Sequence, residues 1–223
     1  MKASLDTNVI IHLYRANQQG VLFDLFPKGI YVYSFIVDVE LRNHGQDIMD
    51  QFMQDVEAGV ITIIDDAWLK GKNLLGLFKD YFNEDFILYN VEDKGEVYAI
   101  ALARILGAMS VVTDDTKIGG PHATLMRIPD SEVVPFAFYE VLFLLFLSGK
   151  ISSEDVVKRF EVIVNNSPEL NFPLKSKLTF FVKRFWVSPY SEREKQWMES
   201  FCSDLSVSFM KKMSELNHAI SQF

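Results

Sequence analysis

Ala3-Ser4-Leu5-Asp6-Thr7-Asn8-Val9-Ile10-Ile11-His12-Leu13-Tyr14 decides the fold. The short apolar stretch over residues 2–5 stops at Asp6, and Val9, Ile10, Leu13 and Tyr14 then recur at helical spacing, so the segment reads as strand, acid, helix. Thr7 or Asn8 supplies the helix N-cap, which leaves Asp6 to point off the strand end.

Working outward, the same unit recurs. Residues 29–33 read as a second strand, Ser34 as an N-cap and 35–43 as a helix carrying Glu40. Gly45 then breaks the chain before a helix over 46–58. Residues 60–64 are almost all β-branched and predict a buried strand. Asp66 caps a helix over 67–82 that Gly71 and Gly76 weaken, and an acidic, aromatic stretch follows over 83–92. A firmer helix over 94–106 has Val97, Ile100, Ala101 and Ile105 on its apolar face and Glu96 in its first turn, with Asp93 three residues before Glu96. Residues 109–113 form a further strand that delivers Asp114 and Asp115 at its end. Strands alternating with helices over residues 1–128 predict an α/β fold, a mostly parallel sheet flanked by helices. From residue 129 the pattern is helical only, with helices over 136–147, 153–164, 174–186 and 192–220, read as an extension packed on the first domain. Ser152 with Asp155, and Ser191 with Glu194, are capping-box patterns for two of these starts.

Asp6, Glu40, Glu96 and the Asp114-Asp115 pair lie far apart in the chain, yet each stands at the edge of an apolar element. An α/β fold collects such positions at one end of its sheet. Carboxylates gathered there repel one another unless a cation sits among them, so the pattern reads as a divalent metal site of the kind that hydrolyses phosphodiesters.

Composition bounds the alternatives. The 223 residues, 49% hydrophobic and 23% charged, suffice for one large domain or one domain plus an extension. Cys202 is the single cysteine and reads as packing, which excludes an intramolecular disulfide and a cysteine-rich zinc site. The acidic residue at position 6 does not suit a secretory leader and the apolar run over 141–147 is short for a membrane span, so the expectation is a soluble cytoplasmic protein. Twenty-two Lys and Arg against 30 Asp and Glu give a net charge of −8, an awkward balance for contact with a nucleic-acid backbone. Divalent cations among the clustered carboxylates would offset part of it.

Leu5-Asp6-Thr7-Asn8-Val9, the run from Ser34 to Glu40 after a strand, Gly95-Glu96 leading into Ala99-Ile100-Ala101-Leu102-Ala103, and Val112-Thr113-Asp114-Asp115 occur in the order of the motifs of the PIN-domain family, which the chain resembles over residues 1–128. The third acid, often Asp in that family, is Glu96 here. The resemblance implies a three-layer PIN-like fold and a metal-dependent endoribonuclease using Mg2+ or Mn2+. Its acids would be Asp6, Glu40, Glu96 and one of Asp114 or Asp115. Family members include toxins of toxin–antitoxin pairs, so an RNA substrate, an antitoxin protein and a homodimer are the partners implied, and no membrane.

Within that scheme Asp6 is the central metal ligand, Glu96 and Asp115 (or Asp114) are further direct or water-mediated ligands, and Glu40 is a supporting or general-base carboxylate. Asn8 or Thr113 orients a ligand or water by hydrogen bonding, and Asp93 suits the helix dipole. His12, His44, His122 and His218 share no ligand spacing and read as structural or surface residues. Lys94, Lys117 and Arg127 are the cations near the site, and Lys175, Lys177, Lys183 and Arg184 cluster in the tail. Two other readings compete. One is a non-catalytic PIN-like module that binds RNA or protein. The other is a phosphatase with an aspartyl nucleophile, which would want a second Asp where Asn8 stands.

Overall fold

The structure is a computed structural model that describes residues 1–89, 94–116, 120–126, 133–187, 189 and 192–222. The chain divides into two compact units, Met1–Phe138 and Tyr139–Phe223.

The first unit is built on a five-stranded, all-parallel sheet: β1 (Ala3–Leu5), β2 (Ile30–Tyr33), β3 (Ile61–Ile64), β4 (Ser110–Val112) and β5 (Val134–Phe136), in the order β3-β2-β1-β4-β5. This is the three-layer α/β arrangement expected, followed by a helical extension. Every residue of β1 is buried, as parallel strands covered on both faces require. Pairing sets Leu5 beside Val112, Ala3 beside Ile30 and Val112 beside Phe136, so the carboxyl ends of the strands share one edge. Successive strands run outward from β1 through β2 to β3, and β4 returns to the other side of β1. The edge between β1 and β4 is therefore the switch point at which α/β sheets open a crevice.

The helices of this unit are α1 (Thr7–Arg15), α2 (Gly20–Leu25), α3 (Gln46–Glu57), α4 (Asp66–Gly71), α5 (Leu75–Tyr89), α6 (Lys94–Ile105) and α7 (Pro121–Leu125). α6 packs on β1, β2, β4 and α5, and Val97, Ala99, Ile100, Ala101, Leu102 and Ala103 are all buried, so the helix is enclosed well beyond a single apolar stripe.

Several elements depart from expectation. The segment after β2 is a π-helical turn, Ile36–Glu40, followed by a 3-10 turn, Leu41–Asn43, and Ser34 lies inside the helical segment. The cap of α4 is Asp65, whose carboxylate accepts from the Trp68 N–H at 2.7 Å, while Asp66 accepts from the Tyr33 hydroxyl at 2.5 Å. Asn73, at φ 58°, separates α4 from α5. The stretch from 83 to 89 is helical because α5 runs through it: Arg104 of α6 lies 3.8 Å from the Tyr81 ring and donates to Glu84 and Asp85. The strand β3 is an edge, with Thr62 exposed. The first unit also extends past residue 128, since β5 completes its sheet at the other edge; Pro135 is tolerated there because an edge strand has one side without a partner.

The helices α8 (Phe138–Leu147), α9 (Ser153–Asn166), α10 (Leu174–Val182), α11 (Glu192–Asp204) and α12 (Phe209–Ile220) complete the chain, and a π-helical turn, Lys183–Val187, continues α10. The Ser152–Asp155 capping box forms as expected. The expected single helix over 192–220 is two, parted at Ser206 (φ 55°), with Ser208 capping α12. Ser191, the other expected cap, lies outside the described residues. Cys202 is buried, 3.9 Å from the Met198 sulfur. Arg184 does not belong to a basic surface stripe: it is wholly buried, donating from Nη1 to Glu140 Oε1 and Oε2 at 2.8 and 2.9 Å and from Nη2 to Glu194 Oε1 at 2.5 Å. Burial opposes its charge, but the two carboxylates outweigh it and hold the guanidinium pKa above its ordinary value. Among the described residues no helix is long and apolar enough to cross a membrane.

Candidate functional site

Asp6 continues β1 by one residue: its N–H donates to the Val112 carbonyl at 3.0 Å, and its extended backbone (φ −89°, ψ 161°) makes it the N-cap residue of α1. That position was expected for Thr7 or Asn8. The Asp6 carboxylate nevertheless forms no capping bond. It is 1% exposed, and Oδ2 accepts from Thr113 Oγ1 at 3.1 Å across the β1–β4 edge.

Thr7, the first residue of α1, donates from its hydroxyl to Glu40 Oε2. Glu40 is the last residue of the π-helical turn after β2, a local widening of the helix that recurs at functional sites. Its carboxylate lies against the backbone of Gly95, where a Cβ would stand 2.5 Å from Oε1 and 2.7 Å from Cδ. Glycine is needed there for close approach. Glu96 follows at once, 2% exposed in the first turn of α6, where the helix N-terminus favours negative charge.

The fourth contribution comes off β4. Thr113 Oγ1, besides donating to Asp6, accepts from the Asp115 N–H at 3.2 Å, and the Asp115 carboxylate packs against Gly120, where a Cβ would meet Oδ1 at 2.9 Å. Asp114 is committed elsewhere. Its Oδ2 lies 2.7 Å from His12 Nδ1 and its Oδ1 accepts from the Phe138 N–H at 2.9 Å, so both oxygens tie down the fold.

The structure thus joins the segments bearing Asp6, Glu40, Glu96 and Asp115 through Thr7, Gly95 and Thr113. Asn8 is half-buried in the first turn of α1. Lys94 is exposed at the start of α6. Asp93, Lys117 and Arg127 lie outside the described residues. Thr7 was expected only as a cap, and His12 only as a structural or surface residue. A hydroxyl directly after the strand-end acid was the available signal for Thr7, whereas nothing local marks His12.

The donors are carboxylate oxygens, hard ligands that suit Mg2+ or Mn2+ better than softer metals, and two of the acids are buried, a costly state for anions without a counter-charge. Among the described residues no three His, Cys, Asp or Glu side chains already stand as a ligand group. Asp6 and Glu40 rest instead on the hydroxyls of Thr113 and Thr7. The donor chemistry fits a hard divalent cation, with the side chains held in a hydroxyl-bonded arrangement.

Compared with protein-family models, with curated proteins and with solved structures, the chain finds no match in any of the three.

Proposed function

We propose that the chain is a metal-dependent endoribonuclease whose site is Asp6, Glu40, Glu96 and Asp115. The observation that carries the reading is the convergence of four acidic segments, remote in sequence, on the β1–β4 switch-point edge, joined by Thr7, Gly95 and Thr113. The PIN-domain resemblance stated from the sequence names RNA as the substrate.

Asp6, Glu96 and Asp115 would hold Mg2+ or Mn2+ through their carboxylate oxygens. When bound, such a cation lowers the pKa of water and offsets charge on phosphate oxygens. Glu40, fixed by the Thr7 hydroxyl and the bare Gly95 backbone, takes the proton of the attacking water at a carboxylate oxygen. Thr113 orients Asp6 while its contact with the Asp115 N–H keeps the two acids in register. Burial of Asp6 and Glu96 keeps bulk water from screening their charge.

Asp6→Asn tests the reading: cleavage of single-stranded RNA with Mn2+ should be lost while the thermal midpoint stays near wild type. Wild-type cleavage by the variant ends the assignment. The hydroxyl contacts that tie Asp6 to Thr113 and Glu40 to Thr7 suit a second reading, a non-catalytic PIN-like module whose carboxylates serve the fold. Calorimetry with Mn2+ separates the two, since folded wild-type protein that takes up no cation supports the module. A toxin role with an antitoxin partner and a homodimer rests on the resemblance alone. A small neighbouring gene for a DNA-binding protein would favour the toxin role, and sedimentation of the isolated chain tests the dimer.

A further inference from the structure

We infer that His12 and Asp114 form a buried positioning couple that locks the segment after β4 to α1 and thereby sets how tightly the carboxylate site takes a divalent cation. The inference rests on the function proposed above.

The two side chains are 6% and 2% exposed, and His12 Nδ1 and Asp114 Oδ2 are 2.7 Å apart. The second oxygen of Asp114 accepts the Phe138 N–H at 2.9 Å, just past β5. One carboxylate therefore joins three pieces of chain: α1, whose N-terminal end carries Asp6 and Thr7; the segment off β4; and the residue that opens α8. Beside it, the Thr113 N–H donates to the Phe136 carbonyl at 2.9 Å and carries the β4–β5 ladder one residue past β4.

Asp114 and Asp115 lie in one tight turn: the Thr116 N–H donates to the Asp114 carbonyl at 2.9 Å, and the Asp115 N–H meets the same Thr113 hydroxyl that serves Asp6. Fixing Asp114 on His12 therefore fixes the turn that carries Asp115. A buried, charged acceptor makes the Asp114 contacts stronger than neutral ones. Without His12 one oxygen of Asp114 loses its partner, and Asp115 can swing with its neighbour. His12 touches neither water nor phosphate in this scheme; it acts through Asp114 on Asp115.

The test is calorimetric Mn2+ binding by full-length His12→Leu, His12→Asn and wild type, with circular dichroism to establish folding. Asn retains a side-chain N–H donor near the position of Nδ1, and Leu does not. The couple predicts Mn2+ binding weakened about 10- to 100-fold in His12→Leu, the usual effect of losing a residue that orients a ligand, and largely restored in His12→Asn. Hydrogen exchange at the Phe138 amide should quicken in His12→Leu even without metal. Should His12→Leu not fold, His12→Ser, too short to reach Asp114 but readily hydrated, takes its place with the same expected weakening. Wild-type Mn2+ affinity in folded His12→Leu or His12→Ser overturns the couple, as does equal weakening in His12→Asn, which would mark a packing role. Absence of Mn2+ binding in wild type overturns the functional reading and this inference together, and is recognisable because no variant is involved.

Discussion

Gly95→Ala separates site from fold. A Cβ at position 95 would stand closest to Glu40 Oε2 and 2.5 Å from Oε1, so even the farther oxygen is about 0.9 Å short of the ordinary contact near 3.4 Å. The obstructed atom is the far end of a side chain, so the Glu40 carboxylate recedes instead of the backbone. Alanine is also the better helix former, by about 0.5–1 kcal/mol inside a helix and less in the first turn of α6. The melting midpoint should therefore hold steady or rise by roughly 2–4 °C at most, the shift about 1 kcal/mol gives a chain of this size. A reacting group displaced by about 1 Å can cost about 100-fold in rate, so Mn2+-dependent cleavage of RNA should fall by about two orders of magnitude. Thermal melts and single-turnover cleavage on one preparation read both quantities. Adding Glu40→Asp, one methylene shorter, should recover part of the rate. Unchanged cleavage in Gly95→Ala, or a loss that appears only with unfolding, would refute the placing of Glu40 in the working site.

Two further predictions concern stability. Arg184→Met leaves Glu140 and Glu194 buried without their shared cation and should cost about 3–5 kcal/mol in chemical denaturation; joining it to Glu140→Leu and Glu194→Leu should recover most of that. A loss below about 1 kcal/mol for Arg184→Met alone would show that the buried network contributes little. Asp85 is pushed up to about 6 by burial, against the pull of Arg104, and among the described residues its Oδ2 is buried without a hydrogen bond. The folded chain then keeps a proton that the unfolded chain releases near pH 4, so stability from this group is greatest at low pH and declines as pH rises from about 4 to 6. Urea midpoints at pH 4.5 and 7 should show that decline in wild type and less of it in Asp85→Asn; an identical pH response in both proteins counts against it.

The β1–Asp6–α1 unit was legible because its period changes cleanly from strand to helix at one acidic residue. The π-helical turn before Glu40 was not, since hydrophobic spacing over five residues cannot distinguish one extra residue per turn from a regular helix. Strand β5 escaped because Val133-Val134-Pro135-Phe136-Ala137-Phe138 runs without a polar break into the apolar helix α8, and its proline argues against a strand unless the strand is an edge. Glu84 and Asp85 of α5 are held by Arg104, 20 and 19 residues further on, a tertiary cause that no local pattern carries. At the site the acid types and their strand-end positions could be read directly. The contact of Asp114 with His12 could not, because the two are 102 residues apart in sequence.

The most direct measurement is the anomalous difference density of a crystal soaked in Mn2+. A peak should stand about 2–2.5 Å from a carboxylate oxygen of Asp6 and from one of Glu96 or Asp115, with Asp114 still on His12. Ordered side chains of Asp6, Glu96 and Asp115 with no peak between them would contradict the proposed site.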